Sequence, residues 1–169
     1  MYTIEGHVGA WKYKKDVVEF VKKEGLSVGD IKLEYEPEPV QHALAAVKMT
    51  CRGIESAMSA HYEFVQSEYY LTESKMNFRL DINPDYKANR AGVHRPWHLN
   101  ACKKYLQDHH DAEYCGRLEA DDKIAVRATE LRAAGKPYVV CSIDKDFNQI
   151  PGWHYDWVKD EYWFIDDAM

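Results

Sequence analysis

No apolar run in this chain approaches the roughly 18–20 residues that a membrane span requires. The opening MYTIEGHVGAWKYKK has no apolar signal-peptide core. Together these absences lead us to expect a soluble, cytoplasmic protein with no membrane partner. The four cysteines, Cys51, Cys102, Cys115 and Cys141, include no CxxC pair. A zinc knuckle therefore has no spacing to build on, and in a reducing compartment the four are expected to be free thiols. The strings GxxxxGK[ST], GxGxxG and GxSxG are all missing, so P-loop nucleotide hydrolysis and acyl transfer lack support. There is no excess of positive charge either. The formal net charge of −6 argues against holding nucleic acid by bulk charge, though not against a local basic strip. Neither an internal repeat nor a low-complexity tract is present.

What the chain does hold is enough for a folded protein. With 169 residues, 46% hydrophobic and 30% charged, it is expected to form one domain with a sizeable core. Residues 1–39 are the least readable part, beyond a short helix over Asp16–Lys23 stopped at Gly25. The prolines of EYEPEPV mark a linker. From Val40 to His61, Leu44, Val47, Cys51, Ile54 and Met58 step by three and four, which is helical spacing along one face. Strands are expected over Ser67–Thr72, Ala112–Cys115, Pro137–Ile143 and Glu161–Ile165, and helices over Pro96–His110 and Glu119–Gly135. NPDYKANRAGVHRP reads as a loop. From residue 40 helices and strands alternate, which predicts an α/β sandwich with a largely parallel central sheet flanked by helices. In such sheets ligands sit beyond the carboxyl ends of the strands.

Two acidic groups fall at such strand ends. In LEADDKI, Glu119, Asp121 and Asp122 open a helix, where carboxylates also cap free N–H groups and favour the dipole. In SIDKDF, Asp144 and Asp146 follow the next strand; they point to one face if strand geometry persists, and otherwise form a turn. If the two groups lie at one edge of a βαβ unit, five carboxylates converge and need cations to offset their repulsion. An oxygen-only donor set suits two Mg²⁺ or Mn²⁺ ions, the arrangement that hydrolyses phosphate esters. The segment 73–104 sets Lys75, Arg79, Lys87, Arg90, Arg95, Lys103 and Lys104 against Glu73, Asp81 and Asp85. With Tyr86 and Trp97, this strip has the groups to contact phosphates and stack on unpaired bases, or it is a solvated surface. The histidines favour helix-end roles over a metal site.

DYKANR, EADDKI and SIDKDFNQIPGWHYDW, in this order, resemble the 5′-nuclease family of flap endonucleases and 5′–3′ exonucleases over about residues 40–165. The NFR…YKANR and IPGWHYDW segments look most like the phage-encoded exonucleases. The resemblance implies a PIN-like three-layer nuclease core over residues 40–169. It also implies a two-metal hydrolysis of DNA at 5′ ends and flaps, with RNA in hybrids as a further substrate, in a bacterial or phage-infected cell. By motif, Glu119, Asp121, Asp122, Asp144 and Asp146 match the family's metal ligands, and Asp121 or Asp122 lies between the metals. Catalysis is implied for Lys87, Asp121, Asp122 and Asp144, with Lys87 stabilising the transition state. Arg79, Lys87 and Arg90 match its DNA contacts. Glu73 stands where the family has an aspartate ligand. The family's opening DGD or DAD motif has no counterpart in residues 1–39, where VGD at Asp30 is the nearest string. The family's second acidic group and helix–three-turn–helix are absent before Met169. A fragment, a split-gene product or a degenerate copy would all fit. The alternative readings are a truncated, non-catalytic module that binds DNA or a partner chain supplying the missing elements, and a PIN-type ribonuclease.

Overall fold

The computed structural model describes residues 1–169 except 12, 28, 30, 64, 74–76, 89–94 and 167–169. The chain divides into two compact units, Met1–Ala43 and Leu44–Met169. In the first unit, strands β1 (Tyr2–Ile4) and β2 (Leu33–Tyr35) pair antiparallel, and helix α1 (Lys14–Lys23) lies between them in sequence. Ile4, Val17 and Val21 form its core, with Trp11, Phe20 and Leu33 packed around them. The strands have three residues each. That is too short for an alternation of apolar and polar residues to show in the sequence.

The long helix α2 covers Val40–His61, the bounds that its apolar stepping predicts, and buries Cys51 and Met58. It is followed by β3 (Tyr70–Leu71), a four-residue helix α3 (Arg79–Ile82), α4 (Leu99–His110) and β4 (Glu113–Tyr114). Next come α5 (Ala120–Ala133), β5 (Val139–Cys141), a 3₁₀ helix over Lys145–Gln149, β6 (Gly152–Asp156) and β7 (Glu161–Ile165). Helix α5 closes at Gly135, whose φ of 66° suits a residue without Cβ. The N–H groups of Gly135 and Lys136 return to the carbonyls of Arg132 and Leu131.

The protein is therefore mixed α/β. Its described strands pair into three small sheets, where the sequence led us to expect one central sheet. Pairing is parallel in β3–β4 and β5–β6 and antiparallel in β1–β2 and β6–β7. Strand β6 explains the aromatic run after the Pro-Gly turn. His154 is buried, and its Nε2 lies 2.8 Å from the Ile150 carbonyl while its ring stacks on Trp163. Tyr155 stacks on Tyr162 at 4.4 Å and donates to Asp160. The carboxylate of buried Asp156 accepts the N–H groups of Val158 and Lys159, shaping the turn into β7. Inward His and Asp make this strand read as polar. It is buried because each polar group finds a partner.

Candidate functional site

The site forms where the segment Asn77–Ala88 lies against the start of α5. Asn77 is buried, and its Oδ1 accepts the Arg79 N–H at 2.9 Å, opening α3. Asn83 does the same for Asp85, and the chain then turns through Tyr86 and Lys87. Lys87 sits at φ 61°, a left-handed conformation that costs a non-glycine residue about 1–2 kcal/mol. On the other side, Thr72 at the end of β3 accepts the Ala120 N–H through its hydroxyl, at 2.9 Å. Its carbonyl accepts from Lys103 at 2.7 Å. These bonds fix the N-terminus of α5 beside β3.

Glu119, the residue before α5, is only 7% exposed. A carboxylate this deep needs partners, because removing a charge from water costs several kcal/mol. It has three. Lys87 donates to Oε1 at 2.5 Å, Tyr86 donates to Oε2 at 3.2 Å, and an Arg79 nitrogen stands 3.5 Å from Oε2. Asp122 is engaged by both arms of the Arg79 guanidinium, at 2.6 and 2.8 Å, and also accepts the Glu119 N–H at 3.3 Å. The Arg79 guanidinium carbon lies 4.9 Å from the Phe78 ring centroid and 5.8 Å from that of Tyr86. Hydrogen bonding from Arg79 holds the Asp122 carboxyl below its ordinary range, against an opposing effect of burial. Burial pulls the Lys87 ammonium down, and the bonds to Glu119 and Tyr86 outweigh it, leaving that group raised. Arg79 is raised too, first by Asp122.

The structure thus brings together Glu119, Asp122, Arg79 and Lys87. Asp121 lies beside them on the exposed side of α5, accepting the N–H of Asp122. Glu73 is half-buried one residue beyond Thr72. Arg90, Lys75 and Asp30 lie outside the described residues. Asp144 and Asp146 take another arrangement. Strand geometry ends at Cys141, so the two carboxylates do not continue along one strand face. Instead Ser142 Oγ accepts the Asp144 N–H, and Asp144 Oδ1 accepts the Asp146 N–H, opening the 3₁₀ helix. Both aspartates are exposed. Strands β4 and β5, which precede the two acidic groups, belong to different sheets, so the shared sheet edge expected for them is not formed by the described strands. Among the described residues, no group of three or more His, Cys, Asp or Glu side chains is placed to hold a metal ion.

The sequence marks both the acidic helix start and the basic strip, but not that residues of the strip bond to the chain's own groups. Tyr86 and Lys103 were expected to face nucleic acid or solvent; here Tyr86 bonds Glu119 and Lys103 bonds Thr72. Thr72 was also missed. The available signals were Asn77 and Asn83, each two residues before the N–H it accepts, a spacing that marks an Asx turn.

No family model matches the chain. Over 77 residues, 44% of this chain and 30% of the relative, it is 35% identical to the flap endonuclease Xni of Shewanella pealeana. The same values hold for the flap endonuclease Xni of Shewanella piezotolerans. It is also 30% identical over 162 residues to testin of Xenopus tropicalis, covering 83% of this chain and 36% of testin. The chain spans about a third of the length of the curated relatives it matches. Its similarity to flap endonucleases is partial and distant. No helix among the described residues is long and apolar enough to cross a membrane.

Proposed function

We propose that this chain is a nuclease core that hydrolyses phosphodiester bonds in DNA, acting at 5′ ends or flaps of bacterial or phage DNA, as a flap endonuclease or 5′–3′ exonuclease. The observation that carries this reading is the seating of Lys87 and Arg79, from the basic strip, on Glu119 and Asp122 at the start of α5. A row of carboxylates alone repels a phosphodiester. Cations held on that row supply the complementary charge and are positioned before the substrate arrives. Lys87 is the better placed to turn toward a phosphate, being a point charge on a flexible stem with its side chain 35% exposed. The partial similarity to flap endonucleases supports the same reading.

The family resemblance calls for two Mg²⁺ or Mn²⁺ ions held by Glu73, Glu119, Asp121, Asp122, Asp144 and Asp146. The described side chains do not fit such a pair. They form no group of three, Glu119 and Asp122 are engaged by cations of the chain itself, and Asp144 caps its own helix. The same observation favours a second reading, in which the chain binds DNA, or a partner chain that completes the site, without turnover. The deciding assay incubates the pure protein with 5′-flap and blunt duplex DNA and with single-stranded RNA, each with Mg²⁺ or Mn²⁺. The nuclease reading expects DNA cleavage, with a loss of roughly a hundredfold in Lys87→Ala. Binding without cleavage selects the second reading, and cleavage of RNA alone makes the protein a ribonuclease. A protein that neither binds nor cuts any of these substrates refutes the nuclease reading and the DNA-binding form of the second.

A further inference from the structure

We infer that Arg79 is a positioning residue, which sets Lys87 and the carboxylates of α5 at fixed spacing, and not a contact to nucleic-acid phosphate. The inference rests on the nuclease reading for its functional meaning, while its geometry stands independently. Both arms of the guanidinium point at Asp122, at 2.6 and 2.8 Å, with one of them also 3.5 Å from Glu119. A guanidinium recognises an anion best through two parallel N–H bonds. Here that fork is occupied by Asp122. Its guanidinium carbon lies 4.9 Å from the Phe78 ring centroid and 5.8 Å from that of Tyr86. Its backbone is held by Asn77, a buried side chain.

What the fork joins matters more than the bond itself. On one side is α3 and the turn that ends at Lys87. On the other is the first turn of α5, where Asp122 also accepts the Glu119 N–H. The fork therefore fixes the distance between the element carrying Lys87 and the element carrying the acid row. Lys87 meets Glu119 at 2.5 Å from a left-handed backbone conformation that this anchoring has to hold. The two basic residues divide the work: Arg79 holds the frame, and Lys87 is the charge free to exchange one anion for another. Lysine cannot replace arginine here, since an ammonium does not supply two parallel bonds in one plane.

The test uses Arg79→Met, Arg79→Lys, Asp122→Asn and the double variant Arg79→Met/Asp122→Asn, in three measurements. Thermal unfolding is expected to be non-additive, with the double variant melting no lower than the weaker single variant. Binding of 5′-flap DNA in metal-free buffer is expected to keep the wild-type slope of log affinity against log salt. A lost phosphate contact would lower that slope by about 0.9. Cleavage is expected to show kcat reduced tenfold or more with KM within twofold, in Arg79→Lys as well as Arg79→Met. Arg79→Lys keeps the charge and the stem, so it guards against simple misfolding of Arg79→Met. Additive melting losses, a reduced salt slope or full rescue by Arg79→Lys would each overturn the inference. If the wild-type protein neither binds nor cuts DNA, the nuclease reading fails, and the melting cycle alone decides whether the fork joins the two elements.

Discussion

Replacing Glu119 by glutamine keeps the shape of the side chain and removes one charge. The side chain is 9% exposed and that of Lys87 35%. In Glu119→Gln the amide oxygen still accepts from Lys87, but as a neutral partner. The bond stays charge-assisted on the lysine side, so what is lost is the attraction between the two charges. Breaking a fully buried pair costs about 3–5 kcal/mol, and the 35% exposure of Lys87 reduces this to about 1–2 kcal/mol, with the Arg79 contact at 3.5 Å adding little. The expected loss is about 1–2 kcal/mol, roughly a 5–30-fold change in the folding equilibrium. Urea titration of wild type and variant measures it directly. Because the carboxylate is buried, the loss should change little between low and high salt, unlike that of a surface pair. Asp121→Asn is the control. Its side chain is exposed, so its stability should lie within about 0.5 kcal/mol of wild type. A loss below about 0.3 kcal/mol in Glu119→Gln would mean that the carboxylate does not hold Lys87, and the site as described would be wrong.

Asp122 is held below its ordinary carboxyl range first by Arg79. Its contribution is therefore present above the unfolded value near pH 4 and lost as pH falls through the folded value; Asp122→Asn should be clearly less stable than wild type near pH 7 and converge on it only as pH falls below the folded value, and a gap constant from pH 7 into strong acid refutes the assignment. Gly152→Ala places a Cβ 2.9 Å from the Tyr138 hydroxyl at a backbone φ of 121°. A loss of about 2–3 kcal/mol and a fall in Tm of roughly 5–10 °C is expected, and an unchanged Tm would refute the packing of β6 on Tyr138.

The elements legible in the sequence are those whose signal is local and long. Helix α2 and strand β7 have the expected bounds, and α5 falls within its expected range, because apolar stepping and closing glycines act over the element itself. Strand β6 escaped because its inward residues His154 and Asp156 are polar, and only the tertiary partners that satisfy them make the run a strand. Strands β1 and β2 are too short to show a period. At the site, the basic strip and the acidic helix start were each legible, but the meeting of Lys87 with Glu119 was not, because α4 and β4 lie between them and only tertiary packing brings them together. Nor was the placement of Asp144 and Asp146, because it depended on which sheet β5 joins. Its partner is β6, and that follows from long-range pairing which no local pattern encodes.

The burial of Glu119 distinguishes the two acidic groups better than their sequence does. Carboxylates in a first helical turn are explained by capping and by the dipole, and both effects work at an exposed position. Asp144 and Asp146 need nothing more: they are exposed, and one caps the turn that carries the other. Glu119 is different. At 7% exposure it forgoes most of its hydration, and capping alone does not offset that. What offsets it is the set of Lys87, Tyr86 and Arg79, three side chains delivered by one short segment. A buried acid beside a lysine that can exchange anions is costly as mere decoration of a helix end, and this supports the proposed anion-handling role. The sequence sets SIDKD and EADD side by side; burial singles out Glu119 and the segment that covers it.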